Sequence, residues 1–101
     1  MFQWKDADPD DLKRLNTIMI FMQKYPSLLT FLFSKTNPEL NGSPETIKKR
    51  SGCFSSGEQV LINIALDIWS NSGDAKINDL YTLDPESFQN VVKALVRARD
   101  G

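Results

Sequence analysis

Residues 51–69 read SGCFSSGEQVLINIALDIW. Ser55 and Glu58 stand three apart, just ahead of an apolar run. This is capping-box spacing: the serine oxygen accepts the N–H of the third helical residue, and the glutamate reaches back to the serine N–H. Val60, Leu61, Ile64, Ala65, Ile68 and Trp69 then recur at three- and four-residue steps, with Gln59, Asn63 and Asp67 as a polar stripe opposite. The pattern predicts an amphipathic helix over 56–71, stopped by Ser70-Asn71-Ser72-Gly73. No stretch of the chain alternates as a half-buried strand would. The expected fold is all-α: a compact bundle of four to six helices without a sheet, in a single domain spanning 1–101.

The same signals recur on both sides. Asp8-Pro9 supplies a cap and a first-position proline, and Leu12, Leu15, Ile18, Met19 and Met22 follow at helical steps, predicting a helix over about 9–24. Tyr25-Pro26 interrupts it. Pro26 opens a second helix, 26–35, in which Leu28, Leu29, Phe31, Leu32 and Phe33 leave almost no polar face. Such a helix is either central or covered by a second copy of the chain, so a homodimer is one expectation. Ser43-Pro44-Glu45 predicts a short helix over 44–50, and KINDLYTL a turn over 77–82. Asp84-Pro85-Glu86 opens a last helix, 85–99, with Phe88, Val91, Val92, Leu95 and Ala98 on one face.

Composition narrows the class. The chain of 101 residues is 41% apolar and 25% charged, a globular balance, and its 13 acids and 12 bases leave a net charge of −1. No overall field draws it to nucleic acid or to an anionic membrane. It has no histidine and one cysteine, Cys53. A lone cysteine forms no internal disulfide and suits the reducing cytoplasm. The acidic start MFQWKDADPDD lacks the apolar core of a signal peptide, and LLTFLF is too short to span a bilayer.

Two segments resemble known families. FSSGEQVLINIAL, residues 54–66, resembles the signature segment of ABC-type ATPases, in which a Ser-Gly pair opens a helix against a nucleotide phosphate. Those enzymes also need a glycine-rich P-loop with its lysine, and no G-x-x-x-x-G-K-[ST] occurs here. The capping box accounts for the same letters by local hydrogen bonding. Residues 58–101 are similar in rhythm to a helix-turn-helix or winged-helix module. That resemblance implies a reading helix whose Gln89 and Asn90 contact adenine while Lys93 and Arg97 meet phosphates. Asp79, Asp84 and Glu86 would repel the backbone, and the chain reaches Gly101 before a wing.

Enzymatic chemistry has little to work with. Without histidine, acid–base work falls to carboxylates and lysines, and Asp8, Glu45, Glu58, Asp84 and Glu86 already stand at helix starts. Cys53 follows Lys48-Lys49-Arg50 and precedes a helix, which favours a thiolate, but no base is paired with it. No catalytic residue, metal site or cofactor is expected. The expected function is a small non-enzymatic protein acting through protein–protein interaction. Its size and class are those of regulators and of accessory proteins of phages and mobile elements. Candidate partner-binding residues are the tail aromatics Phe2 and Trp4 and the basic spot Lys48, Lys49 and Arg50. Phe2 and Trp4 fold back on the core in the competing expectation. DNA binding through Gln89, Asn90, Lys93 and Arg97 is the alternative function.

Overall fold

The computed structural model describes residues 2–100. Met1 and Gly101, which the expected 1–101 domain includes, lie outside the described residues. Six α-helices follow one another: α1 Pro9–Met22, α2 Pro26–Leu32, α3 Pro44–Arg50, α4 Ser56–Ser70, α5 Ile77–Leu80 and α6 Pro85–Asp100. A 3-10 turn, Ser51–Cys53, joins α3 to α4. Among the described residues there is no sheet, only an isolated antiparallel bridge between Phe33 and Leu40. Among the described residues, no helix is long and apolar enough to cross a membrane.

The helix starts obey their local chemistry. Asp8 accepts from Asp10 N–H at 2.9 Å, Ser43 from Thr46 N–H at 3.1 Å, and Asp84 from Ser87 N–H at 3.1 Å. The Ser55 capping box is reciprocal: Glu58 N–H donates to Ser55 Oγ at 3.2 Å, and Ser55 N–H donates to Glu58 Oε1 at 3.1 Å. Ser55→Ala should therefore cost about 0.5–2 kcal/mol. A Cβ on Gly57 would meet nothing within 4 Å, so Gly57→Ala should be neutral or stabilise by up to about 1 kcal/mol. Chemical denaturation measures both, and an ATP titration in parallel tests the signature resemblance. Micromolar ATP binding lost in either variant would restore the phosphate site.

Four helices end earlier than their sequences suggest, α4 at Ser70 rather than 71 and α5 at Leu80 rather than 82 among them. The first helix, α1, stops at Met22 rather than near 24. The second, α2, stops at Leu32 rather than 35, because Phe33 turns to extended backbone at φ −121° and ψ 144°. Asn41 makes that ending possible. Its side chain donates to Thr30 O at 2.8 Å and Phe31 O at 3.2 Å, and its N–H donates to Leu32 O at 2.8 Å. Three carbonyls that a continued helix would have satisfied are capped from across the loop.

Packing centres on α1, which touches α2, α4 and α6. Leu28, Leu29, Leu32 and Phe33 are buried with Ile18, Phe21 and Met22 of α1 and Leu61, Ile62 and Leu66 of α4. The apolar strip of α2 is thus covered within the chain, with Ser27 and Thr30 outside. α6 lies antiparallel to α1. Lys24 and Tyr25, after α1, meet Glu86 and Ser87 at the start of α6, while Pro9 and Leu12 share a cleft with Arg97 and Ala98.

The buried face of α6 differs from the one its sequence suggests. Ser87, Val91 and Ala94 are buried, whereas Val92, Leu95 and Val96 are exposed. Small side chains let α6 come close to α1, while Leu95 is turned toward Ile64 and Ile68 of α4.

Candidate interaction surface

The sequence-derived candidates do not come together. Trp4 is 7% exposed, and its indole N–H donates to Ser34 O at 2.7 Å. Its ring meets Phe2, Phe33 and Trp69 edge-on, with centroids 5.7, 5.8 and 5.7 Å away. The tail thus folds back onto the core, as the competing expectation for Phe2 and Trp4 has it. The half-buried Phe2 edges onto the same cluster.

The basic spot is also divided. Lys48 donates to Asp74 Oδ2 at 2.8 Å, tying α3 to the loop after α4. Lys48, hydrogen-bonded to it, holds the Asp74 carboxyl below its ordinary value. Lys49 and Arg50 remain exposed. Cys53 is exposed, and its thiol donates to Arg50 O at 3.4 Å, the carbonyl one turn back. Among the described residues, no three His, Cys, Asp or Glu side chains gather to hold a metal ion.

On α6, Gln89, Lys93 and Arg97 are exposed at four-residue spacing and share a face, while Asn90 is half-buried. Glu86, at the head of that face, pairs with Lys24. Asp84 caps the helix, and hydrogen bonds from the Ser87 hydroxyl and N–H hold its carboxyl below its ordinary value.

A different surface emerges from α4, α5 and α6. Ile64, Asp67 and Ile68 of α4, Ala75, Lys76, Ile77 and Leu80 around α5, and Val91 and Leu95 of α6 line a groove of about 320 Å³. α5 is held at its edge by the loop after α4. Asn71 ends α4 in the left-handed region at φ 55°, and Asp67 then accepts from the N–H groups of Gly73 at 2.7 Å, Asp74 at 3.1 Å and Ala75 at 2.8 Å. Both oxygens of the one carboxylate lining the groove are thus occupied by the loop, and the rest of the wall is apolar apart from Lys76.

Two of the apolar side chains that line this opening are well exposed, Ile77 at 71% and Leu95 at 44%, and Val96, 53% exposed, lies beyond Leu95 on the outer side of α6. Tyr81 follows Ile77 at four residues, and Val92 precedes Leu95 at three, so each shares its neighbour's face. Sequence reasoning missed the groove because Ile64, Ile68, Val91 and Leu95 all carry core periodicity. The one available signal was Val96, apolar beside Leu95 but outside the expected core face. Comparison with protein-family models, with curated proteins and with solved structures finds no match for this chain.

Proposed function

We propose that this protein is a non-enzymatic helical module that acts in the cytoplasm by binding another protein through the groove of α4, α5 and α6. The observation that carries the proposal is the exposed apolar surface around that groove. Apolar surface left in water forgoes roughly 25 cal/mol per Å² of burial. A contiguous patch of it marks an interaction site more often than isolated exposed residues do. Two facts favour binding over catalysis. The chain has no histidine, and the carboxylate in the groove is occupied by its own loop. The single cysteine supports the cytoplasmic setting.

Leu95→Asp and Ile77→Asp test the proposal, because both side chains are exposed and their replacement spares the core. Affinity capture from the source cell with wild-type and variant baits should recover a partner that both variants lose. A partner retained by both variants places the interface elsewhere. A second copy of the chain is one occupant of the groove, and sedimentation equilibrium separates it from a foreign partner.

DNA binding is the second proposal, favoured by the exposed line of Gln89, Lys93 and Arg97. The acids at the start of α6 weigh against it. Enrichment of one motif from a random duplex pool, lost in Gln89→Ala, would make it the leading function.

A further inference from the structure

Among the asparagines of the chain, only Asn41 is followed by glycine. It is exposed, on the bend that leads into α3. Its side-chain NH2 donates to Thr30 O at 2.8 Å and Phe31 O at 3.2 Å, and its N–H donates to Leu32 O at 2.8 Å. Asparagine is among the chemically labile residues. A following glycine, with no Cβ, leaves the asparagine Cγ open to the next backbone nitrogen. The Gly42 N–H is not held by a described backbone carbonyl. The residue that closes α2 is therefore also the one placed for attack by its neighbour.

We propose that Asn41 is a self-modifying site, at which deamidation turns the cap of α2 into a charge that opposes it. The Gly42 N–H loses its proton to hydroxide, and the nitrogen attacks Asn41 Cγ. The N–Cγ bond forms, the Cγ–Nδ2 bond breaks, and the departing nitrogen takes up a proton and leaves as ammonia, giving a cyclic succinimide. Water then opens the ring. Cleavage at Cγ leaves aspartate at position 41, and cleavage at the main-chain carbonyl leaves isoaspartate. Water is consumed and ammonia released, with no oxidation or reduction. While the two bonds to α2 last, the carboxamide is held on the helix, so the reaction proceeds when that exposed end opens locally. Either product removes both side-chain donors and places a carboxylate near the last carbonyls of α2, the negative end of the helix. Isoaspartate also adds a methylene to the main chain, between the N–H on Leu32 O and the start of α3. Leu32 and Phe33 are core residues, and Phe33 stands edge-on to Trp4 and Trp69. A change at the surface thus reaches the core, while the groove of α4, α5 and α6 takes no part.

Ageing of the purified protein in mildly alkaline buffer, followed by peptide mapping, tests the proposal. The peptide holding residue 41 gains the mass difference of OH for NH2 and splits into aspartate and isoaspartate forms. Asn71, exposed and followed by Ser72, is the internal comparison and converts more slowly. Gly42→Ala is the control variant. A Cβ there meets only Thr46, at 3.6 and 3.7 Å, so the fold stands while the added methyl hinders the attack. This variant keeps the wild-type urea midpoint and loses the conversion. Aged wild type and Asn41→Asp both unfold at lower urea than fresh wild type. Should Asn41→Asp fail to fold, aged wild type still gives the midpoint. An amide at position 41 that outlasts the one at Asn71 overturns the proposal. Conversion at 41 that leaves the midpoint unchanged overturns it too, since α2 would then end as well without its cap.

Discussion

Gly73→Ala is expected to lower the stability of this protein by about 3 kcal/mol or more, which for a chain of this size corresponds to a fall of roughly 12–24 °C in melting temperature. A Cβ at Gly73 would lie 1.8 Å from the backbone oxygen of Asn63, 2.7 Å from its carbonyl carbon and 3.0 Å from Asp67 Cγ. The first two are backbone atoms in the middle of α4, which no side-chain rotation can move. Relief requires the loop to lift from the helix, and lifting it pulls the Gly73 N–H from Asp67 Oδ1, 2.7 Å away. Close approach explains this glycine, since no described glycine has positive φ.

Gly52→Ala and Gly57→Ala are the controls, because a Cβ at either meets nothing within 4 Å. Thermal melting of the three variants side by side tests the expectation. A Gly73→Ala protein melting within a few degrees of its controls would mean that the loop does not hold this position. The consequence reaches the groove, since the same loop carries Ala75, Lys76 and Ile77 into its wall.

Much of this fold is legible where its causes are local. Asp8, Ser43, Ser55 and Asp84 each cap a helix by hydrogen bonds within three residues, and a string of letters displays that spacing directly. The end of α2 is not legible, because Asn41 supplies its cap from 11 residues beyond Thr30. The Asp67 loop is foreshadowed only by its turn residues, as nothing in SNSG declares that one carboxylate will gather three N–H groups. The burial of α6 depends on which face α1 accepts. Periodicity allows either the face of Phe88, Val91, Val92, Leu95 and Ala98 or a smaller one turned toward Ser87 and Ala94, with Val91 common to both. Close packing against α1 selects the small one. The candidate groove follows from that choice, so the surface proposed for function was hidden for the same physical reason.

Trp4→Ala carries the second large expectation, a loss of about 3–5 kcal/mol. Against a total of roughly 5–15 kcal/mol for a domain, that loss leaves the chain marginal. The indole stands among Phe2, Phe33 and Trp69 in edge-on geometry, and Phe33 and Trp69 are themselves 5.0 Å apart. Such pairs add about 0.5–1.5 kcal/mol beyond their area. Removing Trp4 opens a cavity at the junction of the tail, the end of α2 and α4, and leaves Ser34 O without the indole N–H. Trp4→Phe retains an aromatic ring while losing the hydrogen bond and the second ring of the indole, and should recover part of the deficit. Urea denaturation of both variants gives the values. If Trp4 instead serves a partner from the surface, Trp4→Ala will unfold at the wild-type midpoint and fail only in partner capture. That outcome would return the tail to the interaction surface and displace the groove as its centre.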